Sequence, residues 1–121
     1  MPPLTISIVD DDAEVRSATA SLLRSIGLDV CTFASAEDFL VSTELHETAC
    51  LIADVHMPGM SGLELQGRLV PMARRFPIIL MTAHPTDIAR AEAIANGAAG
   101  FFAKPFDADA LLACVEDNMP K

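Results

Sequence analysis

The chain has 121 residues, room for one compact domain over 1–121, and its 51% hydrophobic and 21% charged content excludes a disordered acidic tail. Eight basic against 17 acidic residues leave a net charge of −9, which argues against direct nucleic-acid binding and against docking to anionic lipid. The amino terminus carries no basic segment and no apolar run reaches membrane-spanning length, so a soluble cytoplasmic protein with no membrane partner is expected.

Leu4 to Val9 is a short β-branched run and reads as the first strand. Val15, Ala18, Leu22, Leu23 and Ile26 follow at helical spacing, with Asp12 as the expected N-cap and Gly27 as the stop. Leu28 to Phe33 reads as a second strand. Ser35-Ala-Glu-Asp38 resembles a capping box opening a second helix, with Phe39 and Leu40 on its core face. Ala49 to Val55 is a third, almost wholly apolar strand, and the Pro58, Gly59 and Gly62 that follow predict a structured loop feeding a helix from about Leu63. Pro77 to Met81 is the fourth strand. Asp87 to Asn96 is an alanine-rich helix stopped by Gly97, Ala98 to Ala103 the fifth strand, and Asp107 to Asn118 a last helix capped by Asp107. Strands apolar throughout are buried on both faces, so the pattern predicts a doubly wound α/β sandwich whose crevice lies at the carboxyl ends of a parallel sheet.

Four of those strands end in a polar residue. Asp10 and Asp11 follow the first, Asp54 ends the third, Thr82 the fourth, and Lys104 the fifth; Lys104 and Lys121 are the only lysines. Any one of these alone reads as a cap or turn residue. Together they predict three carboxylates, a hydroxyl and an ammonium at one sheet edge. Clustered carboxylates require a divalent cation or a raised pKa, and a few oxygens with retained waters suit Mg²⁺. One carboxylate then remains a nucleophile, with Thr82 and Lys104 placed to meet the oxygens of a transferring phosphoryl group. The chemistry indicated is phosphorylation of an aspartate.

Ile8-Val-Asp-Asp-Asp-Ala-Glu-Val-Arg16, Asp54-Val-His-Met-Pro-Gly-Met-Ser-Gly62, Met81-Thr-Ala83 and Phe101-Phe-Ala-Lys-Pro-Phe106 together resemble the receiver domain of two-component response regulators, over Ile6 to Asn118. The resemblance implies a CheY-like, flavodoxin-like five-stranded parallel sheet of order 2-1-3-4-5 with five helices. It implies that Asp54 accepts phosphate from a sensor histidine kinase or phosphotransfer protein. Mg²⁺ (or Mn²⁺) would be held by Asp11, Asp54 and the backbone carbonyl of His56, with Asp10 on a metal-bound water. Thr82 would be the switch hydroxyl, Lys104 the phosphoryl partner, Phe101 the rotating aromatic, and Lys104–Pro105 a cis peptide, an isomer that proline makes accessible. Phe102 alternates to the opposite side as core packing.

The same resemblance makes the protein a switch rather than an enzyme. Phosphate would reshape the face over Asp87 to Glu92, Ala98 to Phe102 and Asp107 to Glu116, through which homodimers are expected, with Ala89, Ala93 and Ala113 allowing close approach. The kinase is expected at the first helix, around Glu14 to Ser21. The segment Ser35-Ala-Glu-Asp-Phe-Leu40 and the ending Lys104-Pro-Phe106 look most like receivers that precede a LuxR-type helix-turn-helix. No such output domain follows in these residues, which fits a single-domain regulator or part of a longer one.

His56 and His84 lie two residues beyond Asp54 and Thr82, so each is either a solvated loop histidine or a side chain tuning the lifetime of the phosphorylated state. His46 has no such neighbourhood and is expected at the surface. Cys31, Cys50 and Cys114 are odd in number and lack metal-ligand spacing, as expected of small buried thiols in a reducing compartment. The enzyme alternative is a haloacid-dehalogenase-like phosphatase with Asp10 as nucleophile and Asp12 as general acid. A third reading is a phosphate-independent interaction module, against which stands the intact acidic pair, acceptor and lysine.

Overall fold

The computed structural model describes residues 4–72 and 76–119. Met1, Pro2, Pro3 and Lys121, which entered the sequence reading, lie outside the described residues. The chain alternates strands and helices: β1 Thr5–Val9, α1 Ala13–Arg24, β2 Asp29–Phe33, α2 Ala36–Leu40, a 3-10 turn Thr43–His46, β3 Thr48–Asp54, α3 Gly62–Leu69, β4 Ile78–Thr82, α4 Asp87–Ala95, β5 Gly100–Ala103 and α5 Ala108–Asn118. The five strands form one sheet of order β2-β1-β3-β4-β5, every pairing parallel, as expected.

Alternation along the strands divides the core in two. Val9, Leu51, Ala53 and Leu80 face Phe39 of α2, Leu65 and Leu69 of α3, and Ala93 of α4. Ile6, Ile8, Cys50, Ile52, Ile79 and Met81 face Ala20 and Leu23 of α1 and Leu111 and Val115 of α5. Both sides of the sheet are therefore covered, which explains the near-continuous apolar strands. Phe102 packs into the second cluster and Phe101 against the first, as the alternation predicted. The three cysteines are free thiols, but of those expected inside only Cys50 is buried, whereas Cys31 on the edge strand β2 and Cys114 on α5 are half-buried. No helix among the described residues is long and apolar enough to cross a membrane.

Capping sets the helix starts. Asp12 accepts from the backbone N–H groups of Glu14 and Val15 at 2.9 and 3.3 Å, and Asp107 from Asp109 at 3.1 Å. Gly27 and Gly97 take φ of 87° and 85° just beyond α1 and α4, where a side chain would be strained.

Three expectations need correction. The buried face of α1 is Thr19, Ala20 and Leu23, whereas Ala18 and Ile26, expected inward, are exposed. Thr19 is accepted inside because its hydroxyl bonds the Val15 carbonyl at 2.7 Å, hiding its polarity within the helix. Ser35 caps α2 through the Asp38 N–H at 3.0 Å, but the complete capping box forms at Ser61 and Glu64, with reciprocal bonds of 3.1 and 3.2 Å. Ala93, expected on the outer face of α4, is fully buried, and its carbonyl accepts from Gln66 of α3 at 3.0 Å.

Candidate functional site

Strand register decides what meets at the sheet edge. Val9 pairs with Phe33 and Ala53, Asp54 with Met81, and Thr82 with Ala103, so the strands end at nearly one level. Asp54 and Thr82 are the last residues of β3 and β4, and Asp10 and Lys104 directly follow β1 and β5. The edge is the crevice that a doubly wound sheet leaves open.

Lys104 is the centre of the cluster. Its Nζ lies 2.8 Å from Asp10 Oδ2 and 3.4 Å from Asp54 Oδ2. Asp10 is 1% exposed and Asp54 6%, so this ammonium compensates two nearly dry carboxylates. The other oxygens are also held: Asp10 Oδ1 accepts the Asp12 N–H at 2.9 Å, and Asp54 Oδ1 accepts the His56 N–H at 3.3 Å. Asp11 is exposed at the mouth. Carboxylate oxygens of Asp10, Asp11 and Asp54 all lie within 4.8 Å of one another.

That crowding raises the pKa of Asp54 to about 6, first through burial and then through the charge of Asp10, with Lys104 pulling the other way. Burial pulls the Lys104 ammonium down, but its hydrogen bond to Asp10 and the charges of Asp10 and Asp54 outweigh this and raise it. Two buried carboxylates and an exposed third at the rim, with oxygens within 4.8 Å of one another, match a small hard cation that keeps part of its hydration shell.

Thr82 is fully buried at the end of β4. Its Oγ1 accepts the His84 N–H at 3.0 Å, and its carbonyl accepts the Lys104 N–H at 2.8 Å. The Lys104–Pro105 peptide is cis. Phe101 is half-buried, and the Arg90 guanidinium of α4 sits 4.8 Å from its ring centroid. His56 and His84 are both exposed, their rings edge to face at 5.9 Å. His46, also exposed, ends the turn before β3 and so lies at the opposite end of that strand from Asp54.

Three supporting residues were not foreseen. Gly62 backs the end of β3 so closely that a Cβ there would collide with the Asp54 carbonyl oxygen. Arg16 donates from Nη1 to the Asp10 carbonyl at 2.6 Å, a bond foreshadowed only by the six-residue spacing in Asp10-Asp-Asp-Ala-Glu-Val-Arg16. Glu37 of α2 accepts the Met60 N–H at 3.2 Å, and no local pattern signals a contact 23 residues apart.

The site geometry disfavours the phosphatase alternative. Its general acid, Asp12, is taken up in capping α1, and its nucleophile, Asp10, is buried and ion-paired with Lys104 at 2.8 Å, nearer than Asp54 at 3.4 Å.

Comparison with known proteins agrees with this arrangement. The family model for the response regulator receiver domain matches residues 6–116. The chain is 44% identical over 110 residues to the response regulator protein TodT of Pseudomonas putida, covering 91% of this chain and 48% of that one. It is 40% identical over 116 residues to the transcriptional regulatory protein FixJ of Azorhizobium caulinodans, covering 96% and 55%. It thus spans about half the length of these curated relatives. Among solved structures, the response regulator StyR superposes with a TM-score of 0.86 at 40% identity, over 98% of this chain and 60% of that one. The Vibrio cholerae chemotaxis protein CheY4 gives 0.86 at 27% identity, over 98% and 100%. With family model, relatives and fold in agreement, the chain belongs to the response regulator receiver domain family of two-component signalling.

Proposed function

We propose that the protein is a phosphorylation-dependent switch in which Asp54 accepts a phosphoryl group from a sensor histidine kinase or phosphotransfer protein. The observation that carries this reading is the buried Asp54 carboxylate, flanked by Lys104 at 3.4 Å, in a cluster with Asp10 and Asp11. An oxygen of Asp54 attacks phosphorus, the phosphorus–nitrogen bond of the donor breaks, and the donor imidazole leaves with a proton. Asp10, Asp11, Asp54 and the His56 carbonyl would hold Mg²⁺ or Mn²⁺, which neutralises charge on the transferring group when bound.

Asp10 keeps Lys104 aimed at the acceptor, since the ammonium lies between the two carboxylates. As phosphate takes over Lys104 as partner, the Thr82 hydroxyl turns toward the new oxygens and gives up the His84 N–H it now accepts. Phe101 then moves into the space near Thr82, and the face formed by α4, β5 and α5 changes shape. Phe101 lacks a hydroxyl, so burial alone drives its turn. This face is proposed to contact an output domain, in transcription control, or a second copy of the chain, with α1 meeting the kinase in the cytoplasm. The His56 and His84 side chains flank the mouth and are proposed to set the rate at which water reaches the acyl phosphate.

Incubation with acetyl phosphate or phosphoramidate and Mg²⁺, followed by intact mass measurement, tests the reading. One phosphoryl group on the wild type and none on Asp54→Asn is expected. No gain in mass, where a known receiver is labelled in parallel, overturns it in favour of a phosphate-independent interaction module.

A further inference from the structure

We propose that His56 and His84 form a second metal site, for a borderline divalent ion such as Zn²⁺, across the mouth of the acceptor cleft. The two residues follow neighbouring strands, β3 and β4, and both side chains are exposed. Their ring centroids lie 5.9 Å apart with planes at 67°. A metal-bound imidazole has a metal–nitrogen distance of about 2.0–2.1 Å, which places its ring centroid roughly 3.2 Å from the ion. Two imidazoles sharing one ion therefore hold their centroids roughly 4.5–6.3 Å apart, from right-angled to linear ligation. The observed spacing of 5.9 Å falls inside that window.

The two loops are already fixed at the right places. The His56 N–H is tied to Asp54 Oδ1 at 3.3 Å and the His84 N–H to Thr82 Oγ1 at 3.0 Å. The surrounding field draws cations, because Asp10, Asp11 and Asp54 oppose a single lysine in the cleft. Ligand chemistry separates this site from the carboxylate cluster. Imidazole nitrogen selects zinc, copper, nickel or cobalt, whereas magnesium takes oxygen ligands and keeps its waters. Water completes the coordination at an exposed pair of this kind.

An ion held by both histidines would join the loop after the acceptor to the loop after the switch hydroxyl and stand in the path of an incoming phosphodonor. Zinc then slows phosphorylation. This last step rests on the reading of Asp54 as acceptor; the binding step does not.

The test is titration of the full chain with Zn²⁺ by calorimetry, with Mg²⁺ at saturation to keep zinc off the carboxylates. One zinc per chain is expected, weakened roughly 100-fold in His56→Ala and in His84→Ala, because each removes one of two linked donors. His46→Ala should bind as the wild type does. Equal affinity in the wild type and the double variant His56→Ala/His84→Ala overturns the site. Labelling by acetyl phosphate is then followed with and without zinc, and slowing is expected in the wild type but not in the double variant. Zinc bound by both histidines without any slowing overturns the inhibitory role. A chain that binds zinc as described yet takes no phosphate in its absence keeps the metal site and loses the acceptor assignment.

Discussion

Asp54→Asn should make the metal-free protein more stable, although it removes a charged partner of Lys104. A carboxyl whose pKa stands at about 6 against an ordinary 3.8 carries an ionisation penalty of about 3 kcal/mol at neutral pH, at about 1.4 kcal/mol per pH unit. Asparagine keeps the shape and removes the penalty, while Lys104 retains Asp10 at 2.8 Å. Part of the gain is lost in burying an amide, so a net stabilisation of about 1–3 kcal/mol is expected. The pH dependence follows from the direction of the shift. Asp54 binds its proton more tightly in the folded chain than in the unfolded one, so the stability this lends is full below pH 3.8 and is lost as the pH rises through about 6. The advantage of the variant should therefore be greatest above that range and close as both proteins approach the lower bound. Urea unfolding in EDTA, across pH, measures it. A variant no more stable than the wild type at neutral pH would refute the claim that burial and Asp10 strain the Asp54 carboxylate.

Other substitutions test separate contacts. Lys104→Met leaves Asp10 and Asp54 facing each other in a dry cleft, and a loss of about 3 kcal/mol at neutral pH is expected by urea unfolding without metal. Gly62→Ala forces a Cβ against the Asp54 carbonyl; it should cost about 1–3 kcal/mol and slow labelling by acetyl phosphate, both read on the same preparation. Arg90→Ala removes the guanidinium from the Phe101 ring and should cost about 0.5–1 kcal/mol, an effect absent in a Phe101→Leu background when the double-mutant cycle is completed by denaturation.

The sheet and its functional edge were legible because two independent signals coincide there. Apolar runs mark buried parallel strands, and each run breaks off at a residue with no place in a core, as Val9 gives way to Asp10 and Ala53 to Asp54. Capping was legible where a side chain bonds within its own turn, as at Asp12 and Asp107. It was missed at Ser61, whose box is hidden in a glycine-rich loop. The inward face of α1 was misjudged because apolar spacing ranks Ile26 above Thr19, although the helix bends its threonine hydroxyl back on itself and ends before Ile26 can reach the core. The props of the site were invisible for another reason. Glu37 on Met60, Gln66 on Ala93 and Gly62 against Asp54 depend on how separate elements pack, and periodicity within one element carries no record of that.

The proposed phosphorylation of Asp54 can be tested at the residue itself. Reduction of the acetyl-phosphate-treated protein with borohydride converts an aspartyl phosphate to homoserine, and peptide mass mapping then locates it. Homoserine at position 54 alone, and none after Asp54→Asn, is the predicted result. Homoserine at position 10 or 11 instead would contradict the assignment of Asp54 as the acceptor and return the nucleophile to the first strand.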